Sequence, residues 1–225
     1  MHIAPDWNER QARLREIIRK PEFYNEAQAL FLSMHRAVHF SADGAAPTYM
    51  DTVWDGLAPA DIAVMPTAKD VTIAWNIWHI TRIEDLTVNI LIDCANQLLN
   101  HSWLARLNTA VTDTGNAMTD DEIVDFSRNI DMEALKRYRL AVGENTQKVL
   151  QALSCDDMKR KVRPEGLEKI RGEGGVTAHP DSEWLLDFWG RKDVAGIILM
   201  PVTRHQIGHL NDSAALKNAI RRKNA

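Results

Sequence analysis

Apolar positions recur with the helical period through most of the chain, and almost no segment alternates with a period of two. From Glu22 to Phe40, the residues Phe23, Ala27, Leu30, Phe31, Met34 and Val38 share one face of a helix. Pro21 suits its start, and Gly44 and Pro47 mark its end. Tyr49 to Lys69 is punctuated by Gly56, Pro59 and Pro66. Within it, Leu57 to Asp61 reads as a short helix or turn followed by a linker.

Val71 to Leu99 reads as the longest helix, with Thr72 as a cap. Its first half is apolar nearly all round: Ile73, Ala74, Trp75, Ile77, Trp78, Ile80, Ile83, Leu86. A helix with no polar face belongs inside a bundle. Thr112 to Asp121 is polar and holds Gly115, so a loop is expected there. Thr119 or Asp120 opens a short helix through Arg128, and Asp131 to Leu153 forms a long amphipathic one. Arg163 to Pro180, rich in glycine with two prolines, reads as an irregular excursion with room for a short strand or hairpin. Glu183 to Gly190 is a short aromatic segment. Asp193 to Arg222 is the last long helix, which Pro201 should kink or split. Four long helices with shorter ones between them predict an all-α bundle.

The 225 residues carry 27 basic and 31 acidic side chains, a net charge of −4. That balance argues against a nucleic-acid binder relying on bulk charge. The basic cluster Arg221-Arg222-Lys223 complements a terminal helix dipole. Met1 to Arg15 has no apolar core of signal-peptide length, and the longest apolar run, Val194 to Val202, falls far short of the ~20 residues that span a bilayer. Cys94 and Cys155 form no disulfide framework and no metal-ligand spacing. Reduced thiols in a cytoplasmic protein, with no membrane partner, are expected.

The chemistry lies in the eight histidines. His205 and His209, four apart on the last long helix, project from one face with Cβ atoms ~5–6 Å apart. Two imidazoles so spaced can reach one ion through ~2.0–2.1 Å bonds. Alone, such a pair is as readily two surface or core histidines. His79, on the most buried-looking helix, is the best third ligand, against the simpler reading of a core histidine with satisfied nitrogens. His35 and His39 form a competing pair that could complete a larger site, line its mouth or do neither. The helix dipole alone accounts for a histidine at His39. His2, His101 and His179 lie near loops or ends and should be solvated.

Two of these segments carry a resemblance. Thr72-Ile73-Ala74-Trp75-Asn76-Ile77-Trp78-His79-Ile80-Thr81-Arg82-Ile83-Glu84-Asp85 resembles the second-helix motif of the DinB-like superfamily, and Thr203-Arg204-His205-Gln206-Ile207-Gly208-His209-Leu210 its C-terminal HxxxH motif. That superfamily includes the bacillithiol and mycothiol S-transferases. The resemblance implies a four-helix bundle holding a divalent metal through His79, His205 and His209, and it suggests a homodimer. It also implies one domain over 1–225, with insertions near 101–130 and 160–192 that have no counterpart in compact members.

Three neutral imidazoles leave a coordination position open, the arrangement of a catalytic site. An ion there can lower the pKa of water to about 7 or deprotonate a thiol. The donor set suits zinc or nickel better than magnesium or calcium. Glu84, Asp85 and Asp212 are candidate partners for the ligand histidines, against the reading of ordinary surface acids or caps. Arg82 could face an anionic substrate or pair with Asp85. Trp75, Trp78, Trp184 and Trp189 are candidates for the pocket, though tryptophans at helical spacing are usually core. Three functions follow: transfer of a low-molecular-weight thiol to a small electrophile, hydrolysis with Glu84 as base, or non-catalytic metal binding by a stress protein.

Overall fold

The computed structural model describes residues 3–41, 45–66 and 71–224. Gly44 and Lys69, expected to bound segments, and His2 lie outside them, as does the side chain of Lys223. The fold is all-α, and among the described residues β pairing is confined to one bridge between Lys161 and Asp193.

Four helices surround the core: α2 (Tyr24–Ala37), α4 (Ile73–Glu84), α7 (Met132–Ala152) and α11 (His205–Asn224), labelled by their places in the chain. α4 packs against α11 and α7, and α2 packs against α7. Every residue of α4 is buried, as its lack of a polar face predicts. The caps are side chains that satisfy backbone N–H groups left free at a helix start. Thr72 accepts from Trp75 N, Thr119 from Glu122 N and Asp131 from Ala134 N.

The shorter helices are α1 (Trp7–Ile17), α3 (Tyr49–Trp54), α5 (His101–Leu107), α6 (Asp120–Asn129), α8 (Pro164–Gly172), α9 (Pro180–Gly190) and α10 (Val194–Ile197). The excursion at 160–192 is thus more regular than expected, and the strand or hairpin is not formed. Pro164 and Pro180 each sit at the first turn of a helix, where the missing N–H costs nothing.

The helix expected to run to Leu99 ends earlier. Asp85–Ile92 continues α4 as a π-helix, and Cys94 then takes a positive φ of 58°. The buried Asp85 carboxylate draws the chain back, accepting from Leu98 N at 2.8 Å and Leu99 N at 3.0 Å. At Pro201 the last long helix is divided into α10 and α11 without leaving the helical path. The proline sits in a second π-helical stretch, Ile198–Arg204, whose wider turn accommodates the ring. The two π segments follow Glu84 and precede His205 directly, so both border the histidine-bearing helices.

No helix among the described residues is long and apolar enough to cross a membrane.

Candidate metal centre

One stripe of α4 is clamped by a loop. The carbonyl of Thr112 accepts from Arg82 Nε at 3.0 Å, that of Asp113 from Trp78 Nε1 at 3.0 Å, that of Thr114 from His79 Nδ1 at 2.8 Å and that of Gly115 from Trp75 Nε1 at 3.1 Å. Positions 75, 78, 79 and 82 share one helix face, and they read four consecutive carbonyls. Gly115 has a φ of +78°, which glycine adopts without the cost a side chain brings. The polar loop expected at 112–121 therefore fixes the imidazole of His79.

A carbonyl only accepts, so His79 carries its proton on Nδ1 and a lone pair on Nε2. Nε2 lies 3.2 Å from His205 Nε2. Two metal–nitrogen bonds of ~2.0–2.1 Å at a near-tetrahedral angle span about 3.3 Å. His209 gives its Nδ1 proton to Asn76 Oδ1 at 2.7 Å. The ring centroids of His79, His205 and His209 are 4.6–5.0 Å apart, and one ligand atom from each lies within 4.8 Å of the others. His205 Nδ1 is buried without a partner. Trp75 stacks on His79, centroids 4.5 Å apart and planes 9° apart, which shields that side of the imidazole from water.

The electrostatics suit a cation. Burial, reinforced by His209, pushes the His79 pKa down to about 3. Burial takes His209 to about 4 and His205 well below its ordinary value. All three rings are neutral at pH 7 and can donate a lone pair. The donor set, the matching separation and the two oriented rings fit a divalent transition ion with one side open.

Other candidate residues lie elsewhere. Glu84 does not reach these histidines. Its carboxylate is buried between His35 Nε2 at 2.7 Å and His39 Nε2 at 2.9 Å, with Gln206 Nε2 donating at 2.9 Å. Arg82 is fully buried and donates to Asp85 at 2.9 Å, to Tyr138 Oη at 2.9 Å and to Gln97 at 2.6 Å. Its contribution to the centre passes through the Thr112 carbonyl. Asp85 is spent on Arg82, Tyr138, Asn89 and the backbone of Leu98 and Leu99. Asp212, a candidate partner for a ligand histidine, is exposed on α11, and the His209 Nδ1 proton goes to Asn76. Trp184 and Trp189 lie on α9, Trp184 exposed beside Phe188 and Trp189 in the core. His101 and His179 are exposed.

Asn76 and Thr114 are the partners that sequence reasoning missed. Asn76 had a signal, being a polar side chain on a helix otherwise apolar on that turn. The Thr114 carbonyl had none, since any residue supplies one.

The family model of the DinB superfamily matches residues 44–211, most of the chain, including all three histidines. The search of curated proteins finds no match to the chain.

Proposed function

The chain belongs to the DinB superfamily, and from that premise we propose a divalent-metal-binding protein that transfers a low-molecular-weight thiol to a small electrophile. The observation carrying this reading is the convergence of His79, His205 and His209, with two of their outer nitrogens tied to Thr114 and Asn76.

A zinc or nickel ion, when bound, would stabilise a thiolate near neutral pH. His79, His205 and His209 hold the ion and leave one side open. Thr114 and Asn76 keep His79 and His209 in the tautomer that aims Nε2 inward. Trp75 packs over His79 and supplies an apolar wall. On this reading the protein is a cytoplasmic homodimer of single-domain chains acting on a small molecule.

The placement of Glu84 favours transfer over hydrolysis. A hydrolase needs a base at the open side, and Glu84 is engaged by His35, His39 and Gln206 instead. A panel of small thiols and electrophiles, run beside His205→Ala, tests the proposal. Thiol-dependent product that disappears in the variant supports it. Turnover of esters or amides without thiol points to the hydrolase. No turnover with metal retained points to the non-catalytic stress protein.

A further inference from the structure

We infer that His35, His39 and Glu84 form a second, separate site for a divalent transition ion. His35 and His39 stand one turn apart on or just past α2 and present Nε2 to opposite oxygens of one carboxylate, at 2.7 and 2.9 Å. One ligand atom from each residue lies within 4.8 Å of the others. Donors at right angles around an ion with bonds of ~2.0–2.2 Å are about 3 Å apart. Two imidazoles and one carboxylate make the facial set that takes Fe(II) and related first-row ions. Magnesium and calcium are disfavoured by the imidazoles.

The surroundings of the three ligands are built. Gln206 donates to Glu84 Oε2 at 2.9 Å, and its amide is oriented by Arg139, which donates to Gln206 Oε1 at 2.9 Å. Gln147 lies 2.6 Å from His35 Nδ1. With Nε2 of Gln147 facing that nitrogen, His35 keeps its proton on Nε2 and gives it to Glu84. Loading an ion moves this proton to Nδ1 and turns the Gln147 amide over, so that Oε1 accepts it. The turn gives up donation from Arg36 at 3.1 Å and donation to the Leu32 carbonyl at 3.2 Å. His39 makes the same proton shift, its Nδ1 packed against Gly143 without a hydrogen-bond partner. No proton is gained or lost.

A cavity of 530 Å³ is lined by His35 and His39 together with Phe40, Leu140 and Gly143. Glu84 lies behind the two histidines, with no solvent exposure. Glu84 ends α4 where the π-helix begins, a local irregularity often found at functional sites. Glu84 lies five residues beyond His79, a rise of about 7.5 Å and well round the helix. The two sites are therefore separate mononuclear sites rather than one bridged pair, whose ions sit ~3.5–4 Å apart.

Cobalt(II) titration of the full chain, with X-ray absorption of the loaded protein, tests this. The His205→Ala/His209→Ala variant leaves the second cluster intact and should still bind one ion per chain, with two imidazoles and a carboxylate oxygen around it. Adding Glu84→Gln should remove that ion. Glu84→Gln in the otherwise native chain should retain an ion held by three imidazoles, which also shows that it folds. A His205→Ala/His209→Ala variant that binds no ion overturns this site. If the native chain binds one ion and that variant none, the three-histidine reading stands and this one fails. If the native chain binds none, both fail.

Discussion

His79 donates its Nδ1 proton to the carbonyl oxygen of Thr114 at 2.8 Å, and this bond decides which edge of the imidazole faces His205 and His209. The same loop is held at Thr112, Asp113 and Gly115 by Arg82, Trp78 and Trp75. A helix buried for packing thus also sets the geometry of a candidate ligand.

Asn76 does the same for His209, and Asn76→Ala should weaken metal binding about 10–100-fold, the range for losing such a partner. Asn76→Asp keeps an acceptor at the His209 proton and should restore most of the affinity. Competition against a chromophoric chelator measures both. Equal affinity in the native chain and Asn76→Ala would contradict the positioning role.

Gly143 lies inside α7, where replacement by alanine ordinarily stabilises by ~0.5–1 kcal/mol. Here a Cβ would overlap the His39 ring. Gly143→Ala should therefore destabilise, by about 1–3 kcal/mol. In a His39→Ala background the obstacle is gone and the sign should reverse. Urea midpoints of the four proteins read the cycle, and an unchanged sign in the double variant would count against the contact.

Much of the frame is legible in the sequence alone, and the reasons differ by element. α7 and its Asp131 cap show a long apolar stripe with a short-range cap, both local signals. The His205–His209 pair is legible because four residues make about one turn. The partners of Glu84 are not, because His35 and His39 lie 49 and 45 positions away and only packing brings them together. α5 is short and depends on the Asn100 cap and the burial of Leu107, so periodicity alone misses it. α8 and α9 hide behind Pro164 and Pro180, which read as breakers in sequence and serve as helix starts in the fold.

The metal-free protein should lose stability as acid is added, in a window set by histidines. His39 and His79 are depressed to about 3 and His209 to about 4, mainly by burial. Below pH ~6.5 the unfolded chain takes up protons that these folded rings refuse. Stability is therefore complete above ~6.5 and falls towards pH 4, by up to about 1.4 kcal/mol per pH unit for each ring. Asp157 and Asp193, held below the ordinary carboxylate range, begin to contribute losses only below ~4. Urea midpoints of chelator-treated protein from pH 7 to 4 check this, and a flat profile would contradict it.

Arg82 and Asp85 form a fully buried ion pair at 2.9 Å, with Tyr138 Oη 2.6 Å from the same carboxylate oxygen. Removing one charge leaves the other uncompensated, so Asp85→Ala should cost about 3–5 kcal/mol. Tyr138→Phe removes a hydrogen bond to a charged group and should cost less, about 1.5–3 kcal/mol. Denaturant unfolding ranks the two, and the reverse order would refute this assignment.

The central claim is that His79, His205 and His209 share one ion. Elemental analysis of the native chain purified without chelator, beside the variant in which all three become alanine, tests it most directly. The native chain should carry one more divalent transition ion per chain than the folded variant. Equal metal content in the two, or none in the native chain, would contradict the claim.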